Sequence, residues 1–170
     1  MRILTAIIGV GILLTAILYS QWAYMVVFLV ICLLSVNVFY QLGKGSGRKP
    51  FMIWGLFTSA GLFCLTFLIG TGSHEFVYSL LFLAFVSSVI GIAIFRKNKD
   101  NLVTCISYSV LGIVYIALPL SMMNFVAFPD GTYHFEFVVG LLFCQWANDT
   151  GGYFVGKSLG KRKLYHSLSP

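Results

Sequence analysis

The chain has 170 residues, 59% of them hydrophobic and 9% charged, and its mean hydropathy is +0.92. No soluble domain of this size can hide that much apolar surface, which excludes a water-soluble globular fold. The formal net charge of +6 is no nucleic-acid footprint, because no basic, aromatic-interleaved soluble face exists to hold one.

A helix needs about 20 apolar residues to cross a bilayer. Six such runs fit in the chain, near residues 3–19, 22–41, 51–70, 76–95, 102–123 and 135–159. The expected fold is therefore all-α: a polytopic transmembrane helical bundle of about six spans. Five spans make up residues 1–134, and the sixth opens a separate segment over 135–170. The first run has Arg2 ahead of it, as a signal peptide would. Its apolar stretch is long, however, no small-x-small cleavage site follows, and a second span begins at once, so it should be retained.

Trp22, Tyr24, Tyr40, Trp54 and Tyr78 fall near span ends, where aromatic belts are expected. Between the second and third spans, the stretch from Gly43 to Pro50 looks superficially like a phosphate loop. It lacks the G-x-x-x-x-G-K-[ST] spacing and a preceding strand, and is read as a flexible loop with topogenic charge. Cys32, Cys64, Cys105 and Cys144 each stand alone inside a span, as small packing residues do. His74 and His134 are isolated in loops on the opposite side, and metal ligation is not expected there.

The basic residues fix an orientation. Arg2 precedes the first span; Lys44, Arg48 and Lys49 follow the second; Arg96, Lys97 and Lys99 follow the fourth. Lys157, Lys161, Arg162 and Lys163 lie at the end of the sixth. Threading six spans puts all 11 basic residues on one face, with Glu75, Asp130, His74 and His134 on the other. By the positive-inside rule the N-terminus, both basic loops and the C-terminal segment are cytoplasmic, and the net charge also attracts anionic lipid.

The last segment differs in character. The apolar part from Phe135 to Ala147 is interrupted by Glu136 and Gln145 and is too short to cross alone. Extended through Leu159 it reaches roughly 37 Å at 1.5 Å per residue, enough to cross with tilt. Asp149 then lies about 20 Å from the outer end, below the cytoplasmic headgroups. A carboxylate near mid-span costs on the order of 3 kcal/mol on insertion scales, so such a residue points to function. The bland alternative is an Asp that caps a half-helix or pairs with a lysine. Gly152, Gly156 and Gly160 are four apart and form one stripe, which taken alone is a packing surface for another helix. Lys157 and Lys161, followed by Arg162 and Lys163, are taken alone an ordinary positive-inside cluster. Their combination suggests more. Asp149 stands two turns before Lys157 on much the same side, with bare glycine backbone between them. A divalent metal on the carboxylate and phosphates on the lysines would be about 10 Å apart, a span that suits a nucleoside triphosphate.

These residues resemble a known family. Asn148, Asp149, Thr150, Gly151, Gly152 and Tyr153, then Gly156-Lys157, Gly160-Lys161, Lys163-Leu164 and Ser169-Pro170, are similar to the central motif of phosphatidate cytidylyltransferases, or CDP-diglyceride synthases. That motif runs roughly D-T-G-A-Y-x-x-G-[RK]-x-x-G-[RK]-x-[KR]-L, then S-P-K-K-T-x-E-G. Gly152 stands where alanine is usual. Asn37-Val38-Phe39-Tyr40 stands where the family often carries Glu before Phe-Tyr. The family's C-terminal signature does not occur within the 170 residues, so the chain is expected to be the front part of a longer membrane enzyme, inactive by itself.

The resemblance implies a nucleotidyl transfer in which CTP and phosphatidic acid give CDP-diacylglycerol and pyrophosphate. It implies a catalytic and metal-binding role for Asp149, with Asn148 orienting it, and phosphate contacts from Lys157, Lys161 and Lys163. Arg162 would meet the lipid headgroup, Gly152 and Gly156 would let substrate approach, and Ser169 would begin a further substrate segment. The implied cofactor is Mg2+, with room for a second cation. The partners are CTP, phosphatidic acid and the lipid bilayer, with a homodimer permitted by the small-residue stripes. The setting is the plasma membrane of a bacterium, with the site facing the cytoplasm. Two other functions fit the residues: a CTP-dependent kinase of polyprenols or phytol, and a non-enzymatic transporter or scaffold subunit whose Asp149 gates an ion.

Overall fold

The structure is a computed structural model that describes residues 2–45, 50–72 and 102–159. The described residues are all-helical and contain no strand. We label the helices α1 (Arg2–Tyr19), α2 (Gln21–Gly45), α3 (Met52–Gly70), α4 (Leu102–Gly112), α5 (Leu118–Ala127) and α6 (Phe135–Leu159). A π-helical turn, Ile113–Ala117, joins α4 to α5 without a break. Three helical segments are long and apolar enough to cross a membrane: Gln21–Gly45, Met52–Gly70 and Val103–Ala127. The first expected span is present as the apolar helix α1, 18 residues long. The fourth, over 76–95, lies outside the described residues. The sixth forms a helix with the expected bounds, 135–159. However, it is not among the three segments apolar enough to cross, because Glu136, Asp149, Lys157 and six glycines or amides dilute its hydrocarbon.

Pro119 accounts for the π-turn. Proline has no N–H to donate and its ring crowds the carbonyl one turn earlier. Widening the turn before it relieves that crowding, and the N–H of Leu118 reaches back to the carbonyl of Ile113.

The packed line on α2 is Tyr24, Phe28, Cys32, Val36 and Tyr40, one residue in every four. Because a helix repeats every 3.6 residues, this line drifts about 40° per step around the axis. The helix therefore meets different neighbours at its two ends. At one end the Tyr24 hydroxyl donates to Asn124 Oδ1 at 3.1 Å. Asn124 Nδ2 in turn donates to the Phe63 carbonyl at 3.1 Å and to Thr66 Oγ1 at 2.8 Å. One buried amide thus ties α2, α3 and α5 together. Around it lie Phe67, Phe128 and Tyr133, with Phe67 and Phe128 edge-to-face at 5.2 Å.

At the other end the Tyr40 hydroxyl donates to the Ser109 carbonyl at 2.7 Å, and Ser109 Oγ accepts from the Phe51 backbone N–H at 2.8 Å. The Tyr40 ring occupies a slot walled by Gly55 and Gly112, where any Cβ would collide with it. Tyr24 and Tyr40 are thus fully buried, and the belt reading is corrected for both. Each is a core residue whose hydroxyl finds a partner inside the bundle, as a buried phenol must. Trp22 and Trp54 are 60% and 42% exposed, compatible with a belt; Tyr78 lies outside the described residues. The packing reading of the cysteines holds for Cys32 and Cys105, which are buried, and not for Cys144, which is exposed.

Candidate functional site

α6 leaves the bundle as it advances. The Phe128–His134 turn feeds it, and the Tyr133 hydroxyl donates to the Ile17 carbonyl at 2.8 Å, pinning the turn to α1. Burial, with the nearby charge of Glu136 adding to it, pushes the Tyr133 phenol up to about 12. In the same turn Asp130 accepts from the Thr132 N–H at 3.0 Å and contacts His134 Nε2 at 3.1 Å. These bonds, those from Thr132 foremost, hold its carboxyl at about 2. His134 is therefore tied into the turn, not isolated.

Beyond the turn, α6 packs against α1 and α5. Val138 is fully buried, and Val139 and Leu142 are partly covered. From Phe143 to Ser158 every side chain except Trp146 is exposed. α1 shows the same course in reverse: Ile17 is buried near the turn, while residues 4–12 are exposed.

This bare length of α6 carries the candidate residues. Asn148, Asp149, Gly152, Gly156 and Lys157 are all exposed. At about 100° per residue, Val138, Gln145, Asp149, Gly152 and Gly156 share one stripe about 60° wide. The face that packs at the start of the helix thus becomes the face that presents the carboxylate and glycines. A Cβ added at Gly152 or Gly156 would meet nothing within 4 Å. No described helix approaches there, so the packing reading of the glycines gains no support from the described residues.

Asp149 lies ten residues from the end of α6 and does not cap it. It makes no ion pair with a lysine among the described residues. Neither form of the bland alternative finds support among the described residues. Gln145 Nε2 donates to Asp149 Oδ1 at 3.3 Å. Lys157 is about 80° round the helix from Asp149, and its Nζ lies 5.8 Å from the centre of the Tyr153 ring. The structure therefore brings Gln145, Asp149, Gly152 and Gly156 together and leaves Lys157 on a neighbouring stripe. Lys161, Arg162, Lys163 and Ser169 lie outside the described residues. Gln145 has no place in the sequence motif. Its signal was that it interrupts an apolar run one turn before a carboxylate.

The described residues contain no group of three His, Cys, Asp or Glu side chains placed to hold a metal ion. Asp149 alone offers one carboxylate with an oxygen free, and Asn148 adds an amide oxygen. That all-oxygen donor set fits Mg2+, which keeps its waters and is usually held by one or two carboxylates together with substrate phosphates.

Fold and site define a class: a helical protein with membrane-grade spans that bears a carboxylate, glycines and a lysine on one unpacked helix. The model of the cytidylyltransferase family matches residues 1–170, and the chain belongs to that family. The phosphatidate cytidylyltransferase of Bacillus subtilis (strain 168) is 68% identical to it over 25 residues, which are 15% of this chain and 9% of that protein. The match thus spans less than a tenth of that relative's length. No solved structure matches the chain.

Proposed function

We propose that the chain is part of a membrane-embedded nucleotidyltransferase that makes CDP-diacylglycerol and pyrophosphate from CTP and phosphatidic acid. Family membership together with the exposed Asp149 on a glycine-faced helix carries this reading. The relative's name supplies the lipid substrate, over a short match. In the transfer, an oxygen of the lipid phosphate attacks the α-phosphorus of CTP, and the bond from that phosphorus to the bridging oxygen breaks, releasing pyrophosphate. Little covalent work falls to the protein, whose task is to hold two anions in line.

Asp149 would hold Mg2+, with Asn148 beside it, and a second cation would need donors from outside the described residues. The ion, when bound, supplies charge neutralisation at the triphosphate. Lys157 lies over Tyr153 at rest and has only to leave that ring to meet a phosphate. Lys161 and Lys163 would add phosphate contacts, Arg162 would contact the lipid headgroup, and Ser169 would open the next substrate segment. The open space beside Gly152 and Gly156 leaves room for the nucleotide. We place the protein in a bacterial plasma membrane as a multi-pass bundle with this site on the cytoplasmic side. A homodimer is compatible with its exposed apolar faces.

The test uses the full-length protein with labelled CTP and phosphatidic acid. Wild type should release pyrophosphate and CDP-diacylglycerol. With phytol or a polyprenol supplied in place of phosphatidic acid, release of CDP with the phosphorylated alcohol would establish the kinase chemistry instead, and no CTP-dependent thermal shift would favour the transporter or scaffold. Residues 1–170 alone should yield no product, because they offer one well-placed carboxylate for a metal and two phosphates. Lys157→Ala should raise KM for CTP before it lowers kcat, since lysine meets phosphates in the ground state too.

A further inference from the structure

Asp149 is not presented as a free carboxylate. Among the described residues it accepts one side-chain hydrogen bond, from the Gln145 amide one turn earlier, at 3.3 Å to Oδ1. Both side chains are exposed, and among the described residues Gln145 has no other side-chain hydrogen bond. The two lie on the stripe that continues to Gly152 and Gly156, where the backbone is open. An amide N–H on Oδ1 has two effects. It restrains the carboxylate's rotation, and it takes up electron density on Oδ1 that a chelating cation would have to share.

We propose that Gln145 is a positioning residue that makes Asp149 a monodentate ligand, offering Oδ2 alone, and so favours small octahedral cations over Ca2+. The inference rests on the metal-binding role given to Asp149 above. Mg2+ and Mn2+ take single carboxylate oxygens in near-octahedral shells, whereas the larger Ca2+ is content with bidentate carboxylates at longer distances. With Oδ1 already accepting from Gln145, bidentate chelation makes that oxygen serve a hydrogen bond and a cation together, which weakens it as a ligand. Such partners of a metal ligand typically change affinity by 10–100-fold when removed. The stem of Gln145 has no described contact to lose, so its replacement should leave the fold intact.

The experiment measures metal binding directly. Full-length protein is saturated with a CTP analogue whose α,β-bridge is a methylene and cannot turn over. Mn2+ is then titrated by electron paramagnetic resonance, alone and in competition with Ca2+. Gln145→Met keeps the length and helix preference but cannot donate. It should shift the ratio of Ca2+ to Mn2+ affinity about tenfold toward Ca2+, while its Tm stays that of wild type. Gln145→Lys still donates but adds a charge, and should weaken Mn2+ and Ca2+ alike without moving the ratio toward Ca2+. An unchanged ratio in Gln145→Met, with Asp149→Asn unable to bind Mn2+, overturns the role of Gln145 and leaves the site standing. Mn2+ binding by Asp149→Asn equal to wild type removes the site itself. Should Gln145→Met not fold, a shift toward Ca2+ in Gln145→Lys equally sinks the proposal.

Discussion

α2 and α6 are both 25 residues long, and they do opposite things with that length. α2 buries a residue in every four from Tyr24 to Tyr40 and ends its two tyrosines in hydrogen bonds. Among the described residues, α6 buries Val138 and is then exposed for most of its course. The packing and the candidate residues of the proposed site are therefore carried by different helices. A residue on α2 is constrained by what surrounds it. Under the proposed function, a residue on the exposed length of α6 is constrained by what it binds.

The sharpest way to break this contrast is Asp149→Asn in the full-length protein. Shape and hydrogen-bonding capacity survive, but the charge that would hold a cation is lost. The expected fall in kcat is on the order of a thousandfold, several kcal/mol of transition-state stabilisation, with Tm unmoved. A kcat within about threefold of wild type at saturating magnesium would remove the metal role. A falling Tm would mean that α6 is not bare in the intact protein.

Next in size is Asn124→Leu, which leaves the Tyr24 hydroxyl, the Phe63 carbonyl and Thr66 without their shared partner. Hydrogen bonds inside membranes average well under 2 kcal/mol each, so the loss of three should destabilise by about 2–3 kcal/mol. Unfolding in mixed detergent micelles would read this, with catalysis by the surviving folded fraction unchanged.

Glycine-to-alanine changes sharpen the comparison, because their sign should differ between the two helical regions. At Gly112 the new methyl collides with the Tyr40 ring, and overpacking of this kind costs about 1–3 kcal/mol. At Gly156 it meets nothing, so alanine's better helix propensity should stabilise by up to about 1 kcal/mol. Destabilisation at Gly156, measured in the same detergent titration, would show that another segment covers that stripe.

The smallest effect concerns the turn between the two kinds of helix. Asp130 is held at about 2, chiefly by Thr132. Because its folded value lies below the ordinary 3.8, its contribution is present above about pH 4 and lost as pH falls through about 2. Carboxyl carbon shifts of Asp130 followed by NMR should titrate in that range. A midpoint near 4 would mean that the Thr132 clasp is not formed in solution.

Much of the helix layout was legible in the sequence. The α6 bounds and the start of α3 follow from counting apolar residues between Gly, Pro and charged joints. What counting could not reach was which face of each helix is inside. In a membrane-suited bundle the outer face is as apolar as the core, so the periodic contrast that betrays a soluble amphipathic helix is absent. Tyr24 and Tyr40 were placed at the surface for that reason. Asn124 went unremarked, although an amide deep in an apolar run should be read as a tie between helices. The π-turn was foreshadowed only by Pro119. At the site, Asp149 and its glycines were visible as a motif, whereas the Gln145 contact depends on helical spacing and a rotamer.

The slot around Tyr40 carries a consequence for how sequences like this one can diverge. Gly55 and Gly112 lie far apart in the chain, yet each is kept small by the same phenol, which reaches past them to the Ser109 carbonyl. A larger residue at either glycine becomes tolerable once position 40 loses its ring, and a lost ring leaves a void that larger residues at 55 and 112 can fill. The three positions should drift as a trio, so that relatives with a small residue at 40 carry bulk at 55 or 112, and a chain holding bulk at all three should not assemble this bundle.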